Sequence, residues 1–330
     1  MRENEFLHFV FQNSPASAQV PIGVGDDMAA VRLARRGEQG EQAPEGNAGG
    51  DESLALLKID QCLDGVHVDL RRHSAAQAGR KAVNRCLSDC AAMACVPAAI
   101  TISVALPREG PGSGEAFARD LFVACRDAAA EFDCPLVGGD TAIWDGRLVI
   151  VVSALGRQAP GVIPVRRDGA KIGDALFVSG ALGGSILGRH LTFTPRIALA
   201  QTLARAAGTG PAGALHAMMD LSDGLAADLP RLCAASRAGA DIHTANLPVH
   251  EDAWRLSEKD RLPAALHALI DGEDYELLFA IDPEAAPKIV GLSDVPLTVI
   301  GTVTAGPELR LIDPSGAAHP WPKGGWEHRG

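Results

Sequence analysis

Residues 218–229 read "MMDLSDGLAADL", a stretch that places two carboxylates and a hydroxyl between an apolar pair and a helix-like pattern. Asp220, Ser222 and Asp223 lie within four positions, and Gly224 follows directly. A helix cap explains one or two of these residues, because Ser and Asp side chains accept hydrogen bonds from the free N–H groups of a first helical turn. At least one of the three residues therefore calls for a different role.

The helix expected after this stretch has two possible starts. Leu225, Leu229 and Leu232 lie at helical spacing, whereas Pro230 would remove a backbone hydrogen bond from the interior of such a helix. The helix either kinks at Pro230 or begins later, with Asp228 as its cap. The pattern alone does not choose between these two starts.

Length and composition predict a two-domain globular protein. The chain has 330 residues, more than one hydrophobic core usually supports. Hydrophobic residues make up 47% of it and charged residues 22%, as in ordinary globular proteins. A stretch rich in Pro and Gly follows residue 157, so we expect an N-terminal domain at residues 1–157 and a C-terminal domain at residues 158–330.

The net charge and the cysteines indicate which classes of partner and which cellular compartment to expect. The net charge of −11 disfavours nucleic acid as a partner, because an acidic protein repels a phosphate backbone. The seven cysteines include no C-x-x-C pair, which predicts packed free thiols in a reducing cytoplasm. The N-terminus has no signal-peptide pattern, and the longest apolar runs are too short to span a bilayer, so we expect no membrane partner.

The order of the sequence patterns predicts an α/β chain. Residues 1–13, 75–95 and 115–132 carry apolar side chains at helical spacing. Strand-like stretches lie between them, and Asp145-Gly146 predicts a hairpin between two strands. Residues 36–52 are polar and rich in Gly without periodicity, which indicates a surface loop or a hairpin insertion.

Most of a set of seven aspartates share one context, in which an apolar run is followed by Asp beside Gly or Ser. The seven are Asp26, Asp27, Asp60, Asp89, Asp140, Asp220 and Asp223. Each one alone is typical of a turn or a helix cap. The strand ends of α/β proteins, however, lie along the edge where ligands bind, so the seven could also converge.

Convergence would require cations. Two unit charges 4 Å apart repel by about 4 kcal/mol at an effective dielectric near 20, and several such pairs would match a domain's whole stability of about 5–15 kcal/mol. Carboxylate oxygens without His or Cys favour Mg²⁺, which usually takes substrate phosphates as further ligands. The aspartates are therefore either dispersed and structural or part of a magnesium–nucleotide site.

The phosphate-binding motifs of common kinases are absent. Gly138 and Gly139 precede Asp140 and leave room for a phosphate to approach the backbone. The chain contains no G-x-x-x-x-G-K-[ST] loop and neither the H-R-D nor the D-F-G motif of protein kinases. A phosphate-handling enzyme with this sequence must therefore have a different architecture.

Motifs along nearly the whole chain resemble one family. They are "GVGDDMA", "KIDQCLDGVHVD", "GRKAVNRCLSDCAAM", "LVGGDT", "RRDGAKIGDALFVSG", "MDLSDGLAADL" and "DGEDYELLF", in that order. Together they are similar to the thiamine-monophosphate kinase family of the aminoimidazole-ribonucleotide-synthetase-like superfamily. The resemblance implies an α/β (α+β) protein of two domains, with an N-terminal mixed sheet and helices that form a homodimer and a C-terminal α/β domain that completes the active site. It also implies Mg²⁺, ATP as donor, and thiamine monophosphate as the acceptor that becomes thiamine diphosphate.

The resemblance also assigns roles by position. The expected metal ligands are Asp27, Asp60, Asp89, Asp140, Asp220 and Asp223, with Asp26 from the same acidic set. The expected nucleotide contacts are Gly138, Gly139, Arg167 and Ser222. His67, Glu273 and Trp326 are expected around the thiamine phosphate. Asp140, Asp223 and Arg167 are the expected catalytic residues. The acceptor phosphate is already largely anionic at neutral pH, since its second pKa is about 6, and so needs no strong base.

Three of these residues also have structural interpretations. Arg167 could be a surface residue beside Arg166, His67 a satisfied structural histidine, and Trp326 an aromatic residue packed on the surface. The sequence does not choose between these interpretations and the expected roles.

One motif differs from the family pattern. Where the family usually has Ser-Thr-Asp, this chain has Lys58-Ile59-Asp60. Lys58 has no lone pair for a metal and could replace a cation, contact a phosphate or point away. Two other functions therefore stay open: an ATP-dependent relative with a different substrate, and a non-catalytic nucleotide-binding protein.

Overall fold

The computed structural model describes residues 3–14, 17–33 and 54–326. Two β-sheets organise these residues, and each sheet is built from one half of the chain. The insertion expected at residues 36–52 lies outside the described residues. The domain boundary expected at residue 157 falls between the last strand of the first sheet and the first strand of the second, and the division into two domains stays a prediction.

The first sheet is mixed and has five strands. They are β1 (Ala29–Arg32), β2 (Leu54–Leu63), β3 (Val96–Pro107), β4 (Leu136–Trp144) and β5 (Val149–Arg157). Their order across the sheet is β1-β2-β5-β3-β4. The helices of this half are α1 (Glu3–Asn13), α2 (Ala75–Ala92) and α3 (Glu115–Ala130), close to the ranges that the apolar spacing predicted.

The predicted hairpin between β4 and β5 is wrong. β5 pairs antiparallel with β2 and β3, whereas β4 pairs in parallel with the other side of β3. A turn motif reports only that the chain changes direction, while burial decides which strands become neighbours. Ile150, Val152 and Ala154 of β5 are buried on one face, whereas β4 is exposed at nearly every position. The apolar strand therefore takes the centre of the sheet and β4 takes its edge.

The second sheet has seven strands. They are β6 (Ala175–Ser179), β7 (Leu215–Asp220), β8 (Gly239–His243), β9 (Leu277–Ile281), β10 (Leu297–Thr304), β11 (Leu309–Ile312) and β12 (Ala318–Pro320). Their order is β12-β11-β8-β10-β6-β9-β7. The helices are α4 (Ile197–Ala207), α5 (Leu225–Ser236), α6 (Glu251–Asp260), α7 (Ala264–Ile270) and α8 (Ala286–Ile289). Short 3-10 turns lie at Ser185–Leu187, Arg189–Leu191 and Thr244–Asn246.

Helix α2 lies between the two halves of the chain. It packs on α3, β2 and β5 of the first half and on α4 and β7 of the second. Ser74 and Gln77 form a capping box that satisfies donors at its first turn. Small residues allow the close packing: a Cβ added at Gly79 would lie 2.9 Å from the Ala124 Cβ of α3. Polar side chains on α2 are consequently held in fixed positions.

Helix α5 begins at Leu225 and continues through Pro230, so the later start at Asp228 is wrong. The Asp228 carboxylate instead accepts a backbone N–H from the loop before the helix, at 2.9 Å. Pro230 cannot donate to the carbonyl of Ala226. The indole Nε1 of Trp321 donates to that carbonyl at 2.9 Å, which offsets the lost hydrogen bond.

All seven cysteines are buried free thiols, as the scattered spacing predicted. None of the helices described is both long enough and apolar enough to cross a membrane.

Candidate active site

Three of the seven aspartates converge on one point. Asp27 precedes β1, Asp89 lies on α2 and Asp220 ends β7. One carboxylate oxygen from each lies within 4.8 Å of the others, and all three residues are buried. We refer to Asp27, Asp89 and Asp220 as the carboxylate triad. It joins elements from both halves of the chain.

Two protein cations balance part of the triad's charge. The guanidinium of Arg167 donates to both carboxylate oxygens of Asp27, with Nε 3.0 Å from Oδ2. The ammonium Nζ of Lys58 lies 2.7 Å from Asp89 Oδ1. No described cation lies within ion-pair distance of Asp220; burial, with the negative charge of Asp27, raises its pKa to about 6.

The triad suits a hard divalent cation. Its donors are all carboxylate oxygens, which Mg²⁺ prefers to nitrogen or sulfur ligands. The hydroxyl of Ser88 is buried beside Asp220, and its hydrogen bond to that carboxylate opposes the rise in the Asp220 pKa. The residues present therefore fit a magnesium ion.

Asp26 lies beside the triad without being part of it. Its carboxylate accepts the Asp27 backbone N–H at 3.1 Å. Burial, with the charge of Asp27, raises the pKa of Asp26 to about 6. It lines the larger cavity described below.

Two further predicted ligands are held by arginines. Asp60 of β2 pairs with Arg85 of α2 at 3.2 Å, and Arg85 with Lys58 lowers the Asp60 pKa although burial opposes this. Asp223 pairs with Arg231 at 2.6 Å. Neither carboxylate is grouped with the triad.

The Gly138-Gly139-Asp140 stretch lies away from the triad, on the edge strand β4. Asp140 is exposed, and the three residues line a separate cavity with apolar residues of β3 and α3. A Cβ at Gly139 would lie 1.9 Å from the Ile102 carbonyl oxygen, whereas Gly138 has open space around it. The close approach that Gly139 permits within this chain is thus between two strands, not between backbone and phosphate.

The larger cavity has a volume of about 760 Å³ and lies beside the triad. Three arginines and three acidic side chains line it, together with the N-terminal helix and a Gly-rich turn. The lining residues are Leu7, Phe11, Ile22, Gly23, Val24, Gly25, Asp26, Lys58, Arg166, Arg167, Asp168, Asp223, Arg231, Ala234 and Ala235. Mixed basic and apolar walls suit a ligand with phosphates at one end and an aromatic base at the other.

A second cavity of about 340 Å³ adjoins the first, because Asp223 lines both. The three predicted substrate residues, His67, Glu273 and Trp326, all line it. So does Ser222, which we had expected at the nucleotide. His67 Nδ1 accepts the Leu63 N–H at 3.0 Å, so part of its role is structural.

Sequence reasoning missed a line of charged residues on α2. Lys81 and Arg85 precede Asp89 at four-residue intervals and so share one helix face. The fully buried Lys81 Nζ lies 2.7 Å from Glu273 Oε1. Charged residues that recur every four positions on an otherwise Ala- and Cys-rich helix could have indicated this line. The line connects the second cavity to the triad.

The loop before β9 explains the "GEDYE" motif. Glu273 and Tyr275 both have positive φ, at 64° and 51°, a conformation that non-glycine residues adopt only when their surroundings hold them. Asp274 accepts the Gly183 N–H at 3.0 Å, and Glu276 accepts from Ser179 at 2.6 Å. Tyr275 stacks on Phe193. These anchors direct Glu273 toward α2.

Family models and characterised relatives match most of the chain. The models of the AIR synthase related protein N-terminal and C-terminal domains match residues 25–158 and 145–314. The chain is 37% identical over 305 residues to the thiamine-monophosphate kinase of Rhodopirellula baltica, covering 91% of this chain and 89% of the relative. It is 32% identical to that of Escherichia coli, covering 87% and 85%.

Solved structures show the same similarity. A structure described as AaThiL complexed with AMPPCP and TMP is 25% identical, with a TM-score of 0.79 over 99% of this chain and 97% of that one. Thiamine monophosphate kinase from Stenotrophomonas maltophilia is 27% identical, with a TM-score of 0.68 over 96% of each chain. Hydrogenase maturation protein HypE in complex with ATP, at 17% identity and a TM-score of 0.65, shares the fold alone. On this combined evidence the chain belongs to the thiamine-monophosphate kinase family, within the AIR synthase related proteins.

Proposed function

We propose that the protein transfers the γ-phosphoryl group of ATP to thiamine monophosphate, forming thiamine diphosphate and ADP. One observation carries the proposal: two adjoining cavities, of about 760 and 340 Å³, meet at Asp223, and the larger one borders the carboxylate triad through Lys58 and Arg167. Such an arrangement holds a donor and an acceptor end to end. The similarity to a structure with AMPPCP and TMP bound supports the identity of both.

The larger cavity is the proposed nucleotide site. Arg166, Arg167 and Arg231 supply positive charge for a triphosphate, and Leu7 and Phe11 of α1 supply an apolar wall for a base. Asp27, Asp89 and Asp220 would hold Mg²⁺. When bound, the metal neutralises charge on the phosphates and stabilises the charge that develops in the transition state.

The second cavity is the proposed site of thiamine monophosphate. An acceptor phosphate oxygen is a nucleophile without a general base, so the protein's task is to position it in line with the γ-phosphorus. Trp326 offers an aromatic face to a cationic ring. Arg85, fixed by Asp60 and by Glu273 at 3.5 Å, offers charge to the acceptor phosphate.

We further infer a homodimer formed through the first sheet. Edge strand β4 exposes apolar side chains, including Val137 at 63% and Ile143 at 62%, and such an edge is usually covered. A second copy could bring Asp140 and the adjacent glycines to a neighbouring nucleotide site, where the family resemblance expects them. The buried free thiols support a cytoplasmic location.

Sedimentation velocity tests the homodimer. Ile143→Glu should yield a monomer, while Val123→Glu on the exposed face of α3 should remain a dimer. A wild-type protein that sediments as a monomer at micromolar concentration would refute the dimer.

The activity is tested by incubating the purified protein with Mg-ATP and thiamine monophosphate and measuring thiamine diphosphate by chromatography. We expect stoichiometric thiamine diphosphate and ADP, and no product with unphosphorylated thiamine, which lacks the nucleophilic phosphate. ATP consumption without thiamine diphosphate would instead support the relative with a different substrate. Nucleotide binding without any ATP consumption would support the non-catalytic alternative.

A further inference from the structure

Lys58 occupies the border between the carboxylate triad and the larger cavity. It lies on β2, where Leu56, Lys58, Asp60 and Cys62 face inward toward α2 while Leu57 and Ile59 are exposed. The side chain lines the cavity and keeps 25% of its surface accessible. Lys58 therefore does not point away from the site.

The Lys58 ammonium is part of the triad's electrostatics. Nζ lies 2.7 Å from Asp89 Oδ1, and Asp60 lies two residues along the same face of β2. A lysine side chain is ordinarily an ammonium at neutral pH, and this one forms an ion pair with Asp89.

A charged Lys58 changes what the triad can bind. An ammonium group donates three hydrogen bonds and has no lone pair, so it cannot ligate a metal. It holds one oxygen of Asp89 and repels a second divalent cation on that side of the triad. At the same time its remaining N–H groups can face an anion in the cavity.

We propose that Lys58 takes the place of one divalent cation on the Asp89 side of the triad, so that the triad binds a single divalent cation. The ammonium then supplies the second positive charge toward the nucleotide phosphates, a role that rests on the proposed function. This protein would differ from a chain with an uncharged residue at position 58 in the number of metal ions bound.

The metal count can be measured without turnover. Mn²⁺ is titrated into the nucleotide-free protein, and free Mn²⁺ is followed by electron paramagnetic resonance. We expect one Mn²⁺ at the triad of the wild type and of Lys58→Arg, which keeps the charge. Lys58→Ser and Lys58→Met, which remove it, should each bind two. A wild type that binds two ions, or uncharged variants that still bind one, would overturn the proposal.

Removing Lys58 leaves Asp89 buried without its cation, so the single variants could fail to fold. The double variant Lys58→Met/Asp89→Asn removes both charges of the pair. It tests the proposal if the single variants do not fold. It should fold and bind one Mn²⁺, because the pair it loses contributes no net charge. A second ion, or loss of the first, would refute the exchange of cation for ammonium.

The outcome is separate from the activity. A protein that fails to phosphorylate thiamine monophosphate yet gains an ion in Lys58→Ser would disprove the proposed function and keep this inference. A protein that makes thiamine diphosphate with an unchanged metal count in every variant would support the proposed function and overturn this inference.

Discussion

The ammonium of Lys81, with no accessible surface, lies 2.7 Å from Glu273 Oε1 and joins α2 of the first half to a left-handed loop residue of the second. Its Nζ also donates to the His67 carbonyl at 2.5 Å. One buried charge thus holds two walls of the second cavity. Burial lowers the pKa of Lys81, although Glu273 opposes that shift.

Replacing Lys81 by Met should destabilise the protein and weaken substrate binding. Loss of one partner from a buried ion pair costs about 3–5 kcal/mol, and Arg85 at 3.5 Å would be the one cation left to Glu273 among the described residues. Urea unfolding measures the first effect, and the KM for thiamine monophosphate measures the second. Lys81→Met/Glu273→Gln should recover part of the stability. A single variant as stable as the wild type would show that the pair is not needed to hold the loop.

Asp220 should be needed for turnover and not for folding. It has no ion-pair partner among the described residues, so Asp220→Asn relieves repulsion from Asp27 and should leave the melting temperature unchanged or higher. Turnover should fall by about 10²–10³-fold, the loss typical of one electrostatic group. Asp127→Asn, at an exposed ion pair on α3, is the matched control. An unfolded Asp220→Asn protein would indicate a structural carboxylate.

Trp321 should matter because of Pro230. The Trp321 indole donates to the Ala226 carbonyl that Pro230 leaves unbonded, so Trp321→Phe should cost about 1–3 kcal/mol as that carbonyl loses its partner. In a Pro230→Ala background the restored backbone N–H can donate to the Ala226 carbonyl, so Trp321→Phe should cost less free energy of unfolding. Chemical denaturation of the four proteins gives the coupling free energy. Equal costs in both backgrounds would contradict the compensation.

His267 should contribute stability that depends on pH. Its Nδ1 faces Asp271 at 3.1 Å and its Nε2 faces Asp260 at 3.3 Å. Burial would lower the pKa of His267, but the two carboxylates outweigh it and raise the pKa above its ordinary value of 6.5. The folded state therefore holds the proton more tightly than the unfolded state.

The stabilisation from His267 should be complete below pH 6.5 and should disappear as the pH rises through the folded-state pKa. Melting temperatures of the wild type and His267→Asn, measured from pH 5 to 9, should differ most at the acidic end and converge at the alkaline end. A difference that grows with pH would show that His267 is neutral in the folded state.

The sequence allowed many residue types of the site to be predicted. It allowed few of the contacts between those residues to be predicted. The acidic motifs identified Asp27, Asp89 and Asp220, because their chemistry is unusual beside apolar runs. The same reasoning included Asp60 and Asp223, which arginines hold, and Asp140, which lies on an exposed edge strand. Nothing in a short motif distinguishes a carboxylate that meets other carboxylates from one that meets a cation.

The same distinction holds for the fold: local elements could be predicted, and their pairing could not. Periodicity located α2 and α3 well, since the spacing of apolar side chains is a local property. The Asp145-Gly146 turn predicted a hairpin that does not form, because the partners of β4 and β5 depend on which strand has a buried face. Lys81 and Arg85 were overlooked because a charged residue in a helix normally faces solvent. Only the packing of α2 between the two halves buries Lys81 and leaves Arg85 partly buried.

The amino-acid sequence by itself determined the helices of the first half, the family, and the kinds of groups available for the chemistry, because these follow from local patterns and motifs. The tertiary structure alone decided which three carboxylates meet and that Lys58 turns inward to Asp89. It also decided that Lys81 reaches Glu273 across the molecule. Those contacts join residues far apart along the chain, and their geometry depends on how α2 packs between two sheets, which no single segment encodes.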